Sequence, residues 1–341
     1  MTGKIITYAL STSKVSSVLV CLCALCIASV AIEQAKPGVK TPGVQLPLSR
    51  LEPEAIIAVA GAPDWIAIDA FVWVSNKPRN SVTKIDPVSN RVLATLTQFN
   101  KPCSGLAIGF GSLWVPNCGN STLTRVDLNT NTVTATIPTT IANSEGGITV
   151  SNEGVWLLRD GKSTLVRIDP VTNKIADEIA LPSGCFTPAF GFGSVWVTCT
   201  GQNTLVRINP QAKKIVATIP VGPKPRFLAI GERAVWALTQ GDGAVFRIDP
   251  NTDAIAAKID LGIPGEGGDI AVGEGSVWAT SFGFPLSRID PKTNAVVQQF
   301  AGKGGDAIRA GRGAVWLSNY MFGTVWKIDP NRLPALKGDW N

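Results

Sequence analysis

The chain of 341 residues contains no histidine at all. That absence excludes a Ser–His or Cys–His catalytic pair, an imidazole acid–base group, and any metal, haem or copper site built on imidazole. Charge is sparse, at 16% of residues, and no run of Lys or Arg is present to track a phosphate backbone, so the formal charge of +6 does not point to nucleic acid. No Walker-type phosphate loop occurs, and the many Gly-x-Gly pieces lie where strand-to-strand turns need glycine. What the chain does have is 34 glycines, 23 prolines and abundant β-branched residues, a composition suited to an all-β protein with many turns.

The first 31 residues stand apart. Lys4 and Lys14 lead into the apolar stretch 15–30, which ends in Ser29-Val30-Ala31, small residues at the positions a signal peptidase reads. This is the layout of a secretory signal peptide cleaved after Ala31, with an uncleaved membrane anchor as the alternative. The stretch is short for a spanning helix, which needs about 20 apolar residues. Cys21, Cys23 and Cys26 follow Val or Leu, not the small residue that lipid attachment wants. Residues 32–54 then read as a Pro-rich linker without periodicity.

From there a single feature recurs. Trp73, Trp114, Trp156, Trp196, Trp236, Trp278 and Trp316 each follow Val or Leu, at spacings of 41, 42, 40, 40, 42 and 38 residues. Asp86, Asp127, Asp169, Asn209, Asp249 and Asp329 come 13 residues after a tryptophan, and Asp290 comes 12 after. Each unit reads as four short strands; in the fifth these are 227–230, 234–238, 244–248 and 254–259. A period near 40 with four strands per unit predicts a seven-bladed β-propeller over 55–341. The seven aspartates or asparagines are expected to form turns, with Asp accepting a bond from the backbone two residues on and Pro presetting φ. The seven tryptophans are expected to fill the space between neighbouring blades. The last unit lacks a convincing fourth strand, whereas 54–60 (EAIIAVA) resembles a fourth strand without its other three. Pairing the two closes the ring and removes two unpaired edges.

The pattern G-x-G-S-V-W-V…T-L-V-R-I-D-P-x-T-N-x-I-x-A-T-I-P-V-G resembles the bacterial YVTN-type propellers and the related streptogramin (virginiamycin B) lyase-like proteins, over essentially 55–330. The resemblance implies the fold directly, because its motif consists of turn and core residues. It also implies a lyase that opens a cyclic antibiotic by elimination with a channel histidine, carboxylates and a divalent cation. With no histidine in the chain, that catalytic residue maps onto no position.

Four cysteines follow the signal segment. Folding the first hairpin of the second unit about Phe110-Gly111 opposes Cys103 and Cys118, and folding that of the fourth about Phe192 opposes Cys185 and Cys199. Two cross-strand disulfides are therefore expected, as is an oxidising compartment; a metal or redox role is the alternative. The two spacings differ by one residue, so one pair calls for a bulge.

In a propeller the loops entering the innermost strand and those leaving the second share the face around the channel mouth. Here those loops vary from unit to unit. They supply Asp64, Trp65, Asn117, Glu145, Arg159, Phe186, Arg226, Glu266, Asp269, Asp306, Asn319 and Tyr320 as candidate ligand-binding residues. Glu266 and Asp269 are the candidate ligands for a hard cation, Mg or Ca, and the clustered carboxylates could alternatively include a general base. The leading expectation is a periplasmic or secreted binding protein, a monomer whose mouth face meets a protein, glycan or small molecule, with membrane contact only if the N-terminal segment is retained. The alternative is a cation-dependent lyase or hydrolase using the same carboxylates. Quinone-based electron transfer is a weaker third.

Overall fold

A computed structural model describes residues 38–141, 147–159, 161 and 163–334. The signal segment therefore lies outside the described residues, as does Glu145. All described residues belong to one unit, Ala35–Asn341, and among them no helix is long and apolar enough to cross a membrane.

Seven four-stranded antiparallel blades form the ring. The fifth is representative, with strands Pro225–Gly231, Ala234–Thr239, Ala244–Ile248 and Ile255–Asp260 running from the channel outward. The seventh takes three strands from the C-terminal end, Ile308–Gly311, Ala314–Asn319 and Thr324–Ile328, and its outermost, Ala55–Ala58, from the N-terminal end. That closing strand pairs antiparallel, Ala55 opposite Lys327 and Ala58 opposite Thr324, as its apolar pattern predicts.

All seven repeat tryptophans are fully buried, and each packs on the following blade. Trp196 of the fourth meets Leu228, Val235 and Phe246 of the fifth. Trp316 of the seventh meets Ile66, Val72 and Val74 of the first, so the last interface repeats the others. Five of the indoles donate Nε1–H to the carbonyl five residues earlier, as Trp236 does to Gly231 at 3.0 Å. Trp73 and Trp156 use the Asp69 carboxylate and the Ser151 hydroxyl instead. A buried ring whose polar edge is satisfied in this way adds apolar area without a desolvation cost.

The R-I-D-P-x-T-N motif has two jobs. Its aspartate forms the turn: Asp127 accepts from the Asn129 and Thr130 N–H groups, and Asp249 from that of Asn251. Its arginine reaches the next blade's turn. Arg247 lies over Trp236, with its guanidinium carbon 5.2 Å from the ring centre, and donates to the Pro291 carbonyl and Asn294 of the sixth blade. Arg125, Arg207 and Arg288 do the same, and Lys84 and Lys327 stand in for arginine in the first and seventh blades. Lys327 bonds the Pro87 carbonyl and so ties the last blade to the first. The third blade departs: Arg167 pairs with Asp177, which also takes Lys213 of the fourth.

Both expected disulfides form, Cys103–Cys118 and Cys185–Cys199. The bulge falls in the fourth blade, where the register shifts between Cys185 and Pro188. The segment read as a linker is not featureless. Gln45–Pro47 adds to Ala295–Ala301 of the sixth blade as a parallel fifth strand, burying Val44 and Leu46. Its prolines hid that pattern, and they are tolerated because the strand lies at a sheet edge.

Candidate functional site

The innermost strands line a central channel of about 360 Å³ whose side chains are mainly Ala, Ile and Val, including Ala107, Val150, Ala229 and Val272. Above it, where the first, fifth, sixth and seventh blades meet, a second cavity of about 220 Å³ is lined by Asp64, Trp65, Lys77, Arg226, Phe227, Glu266, Phe282, Asp306 and Tyr320.

A hydroxyl two residues after the tryptophan sets several of these positions. Ser318 accepts from the Ala307 N–H at 2.9 Å and donates across the blade boundary to the Asp64 carbonyl at 3.1 Å. Thr280 accepts from Asp269 N–H and donates to the Asp306 carbonyl, and Thr198 donates to the Arg226 carbonyl at 2.8 Å. The second, third and fifth blades have Pro116, Leu158 and Leu238 at this place. The blades with the hydroxyl are those that fix the backbone beneath Asp64, Arg226 and Asp306.

Charge at the mouth is held against solvation. Burial pushes the Asp64 carboxyl above its ordinary range, and the Lys77 ammonium at 2.7 Å pulls it back. The Asp306 carboxyl is pushed up to about 7, first by burial and then by the negative charges of Asp64 and Asp269; Lys77 and the Gly268 N–H oppose this. Gly268 has φ +83°, and a Cβ there would meet the Thr280 carbonyl oxygen at 2.0 Å, so the close approach needs glycine. Burial lowers the Arg226 guanidinium, while Glu266 and Asp306 support its charge. Arg226 also lies over the Phe186 ring at 4.1 Å, and Phe227 meets Trp65 edge-on with ring centres 6.0 Å apart. Trp65 is only 6% exposed, and its Nε1–H finds no acceptor among the described residues.

Of the residues singled out from the sequence, Asp64, Trp65, Arg226, Glu266, Asp306 and Tyr320 converge on this cavity. Phe186 stands behind it, through Arg226 and Phe227. Arg159 is elsewhere, ion-paired with Glu178 at 2.8 Å. Asn117 is buried and bonds the Val115 carbonyl, Thr124 and the Asn100 N–H, and Asn319 accepts from the Gly305 N–H. Both sit three residues after a tryptophan, as does Asn76, and the shared position marks them as loop supports.

Asp269 does not join Glu266 as a cation ligand. Its carboxylate accepts from the Ile270 and Ile308 N–H groups and from Arg309. Among the described residues no group of three or more carboxylates or cysteines could hold a metal ion. The described residues therefore offer no such set for the divalent cation that the family resemblance implies. Three participants were not singled out from the sequence: Lys77, Phe227 and Arg309. Lys77 was within reach, because it faces Ala62 across the first hairpin, two residues from Asp64.

A family profile described as a repeat of unknown function (DUF6923) matches residues 109–244. No curated protein matches the sequence. Among solved structures, a streptogramin B lyase is similar with a TM-score of 0.69 and 19% identity, covering 80% of this chain and 96% of its own. A catalytically inactive histidine-to-alanine variant of virginiamycin B lyase from Staphylococcus aureus, with Quinupristin, gives a TM-score of 0.70 at 16% identity, covering 81% and 98%. Hydrazine synthase from Kuenenia stuttgartiensis gives 0.68 at 14%, covering 82% and 98%. The chain is thus a seven-bladed β-propeller whose structural neighbours include the streptogramin B (virginiamycin B) lyases.

Proposed function

We propose that this protein is an exported small-ligand-binding propeller of the cell envelope, working through the cavity at the channel mouth. One observation carries the reading. Five charged side chains and an aromatic wall from four blades converge on about 220 Å³, on the face where the repeat is not repeated. Pockets with an apolar wall and a few converging polar groups are the usual form of a small-molecule site. Export is supported by the signal-like first 31 residues and by two disulfides, which persist in oxidising compartments. N-terminal sequencing of the mature protein is expected to begin at Ile32, and a retained Met1 would favour a membrane anchor.

The binding reading is tested by thermal unfolding against a library of small molecules and glycan fragments. A true ligand at about 100 times its Kd adds about 2.7 kcal/mol, or roughly 4–5 °C in a domain of this size. Arg226→Ala and Glu266→Ala are expected to abolish the shift. Hits that survive both substitutions would place binding elsewhere.

A second reading, a lyase or hydrolase using the mouth carboxylates, is favoured by the Asp306 carboxyl at about 7, since a group titrating near neutrality is suited to proton transfer. Unfolding in EDTA and then in millimolar calcium or magnesium tests its cation-dependent form. A stabilisation lost in Glu266→Gln would favour the enzyme, and no shift with either cation would count against it.

A further inference from the structure

The charges lining the mouth cavity do not balance. Asp64, Glu266 and Asp306 face Lys77 and Arg226, three carboxyl groups against two cations. The neighbouring Asp269 and Arg309 pair with each other. Lys77 is committed to Asp64, and the Arg226 guanidinium is supported by the charges of both Glu266 and Asp306. The odd group is Asp306. It is faced by Asp64 and Lys77 from the first blade, Arg226 from the fifth, the Gly268 N–H from the loop entering the sixth, and Asp269 with its partner Arg309, while Glu266 and Tyr320 line the same cavity. An independent observation concerns the same wall: Trp65, only 6% exposed, lines the cavity, and among the described residues its buried indole N–H has no acceptor. A buried donor without a partner is uncommon in a native protein and asks for an occupant.

We propose that the mouth cavity takes an organic monocation, an ammonium group on an aromatic or alkyl body bearing a hydrogen-bond acceptor. The ammonium supplies the missing positive charge beside Asp64 and Asp306. The body lies against Trp65 and Phe227, and the acceptor receives the Trp65 N–H. A bound cation requires Asp306 to be ionised, so binding releases the proton that Asp306 otherwise holds near neutrality. Ring faces add attraction for the cation, and a desolvated site strengthens it. The inference rests on the mouth cavity being the ligand site.

The probes are a matched set: tyramine, the neutral 4-ethylphenol and the anionic 4-hydroxyphenylacetate. Nα-acetyl-lysine N-methylamide supplies the same cation on a peptide backbone. Calorimetric titration of the purified protein is expected to show saturable binding of tyramine or the lysine derivative. The tighter of the two tells whether a free amine or a peptide side chain is the better occupant. The two non-cationic probes are expected to bind at least tenfold more weakly. Since Asp306 must give up its proton, tyramine affinity is expected to fall about tenfold from pH 8 to pH 6. Asp306→Asn is expected to weaken binding at pH 8 by about tenfold and to remove the pH dependence, which a merely misfolded variant would not do while tyramine still bound. Equal or tighter binding of 4-ethylphenol or 4-hydroxyphenylacetate, lost in Arg226→Ala, overturns the cation and leaves the site standing. Failure of both cations to bind also overturns the proposal, and the library screen then decides separately whether the mouth binds anything.

Discussion

The two faces of the ring are built by different rules. On the turn face, one blade's arginine or lysine reaches the next blade's D-P-x-x-N turn, and the contact recurs around the ring from Lys84 to Lys327. The aspartates that open these turns accept local hydrogen bonds, led by the Ser89 hydroxyl at Asp86 and by backbone N–H groups at Asp127, Asp169 and Asp290, and these bonds hold all four below the usual carboxylate range. On the mouth face, among the described residues, the hydroxyl two residues after the tryptophan crosses only three blade boundaries, from Thr198, Thr280 and Ser318, and the loop side chains above it differ from blade to blade. Two of its loop pairs are tied by disulfides, and burial pushes Asp64, Arg226 and Asp306 towards their neutral forms. Repetition serves stability on one face. On the other, carboxyl groups are kept desolvated at a cost to stability, which is the feature that the proposed binding role rests on.

The comparison is broken most severely through the core beneath the turn face. Trp236→Ala removes a fully buried ring between the fifth and sixth blades and is expected to cost about 3–5 kcal/mol in denaturant unfolding, whereas Phe282→Ala at the mouth, where that side chain is 62% exposed, should change stability by about 0.5 kcal/mol or less. Equal losses would show that the mouth is as structural as the turns. Next come the mouth's covalent ties. Replacing Cys185 and Cys199 together by Ala opens a loop with a sequence separation of 14 residues and is expected to cost about 2–4 kcal/mol, with thermal unfolding under reducing conditions reporting the same loss in the parent. The mildest break is a single turn. Asp127→Ala removes two hydrogen bonds to backbone N–H groups and is expected to give the smallest loss of the three in denaturant unfolding. Because turn aspartates are held below their unfolded values, the stability they supply is present above the unfolded pKa and is lost as pH falls through the folded one.

Much of this division was legible in the sequence, for physical reasons that differ by region. The tryptophans and turn aspartates stood out because a ring of equivalent interfaces demands the same large side chain and the same turn seven times. The disulfides and the closing strand Ala55–Ala58 followed from folding hairpins about known turns and from counting edges. The mouth was legible only as departure from the repeat, which found Asp64, Arg226, Glu266 and Asp306. It also swept in Asn117 and Asn319, because a varied loop and a loop support look alike unless the shared position after the tryptophan is noticed. Asp269 misled for another reason: its partner Arg309 comes from the next blade, 40 residues on, and pairing across a blade boundary leaves no local pattern. The fifth strand Gln45–Pro47 was missed because a three-residue edge strand among prolines carries no periodicity.

The central claim is that the mouth holds a buried carboxyl at a cost to the fold. Its most direct test is the unfolding free energy of the parent and of Asp306→Asn from pH 4 to pH 8. The folded carboxyl binds its proton more tightly than the unfolded one, from 3.8 up to about 7. Its contribution is therefore unfavourable above the folded value and fades as pH falls to the unfolded value. Asp306→Asn is predicted to be the more stable protein at pH 8, by at most about 4 kcal/mol, with the advantage disappearing by pH 4. An Asn variant equal to or less stable than the parent at pH 8 would contradict the account and return Asp306 to the ordinary charges of a solvated loop.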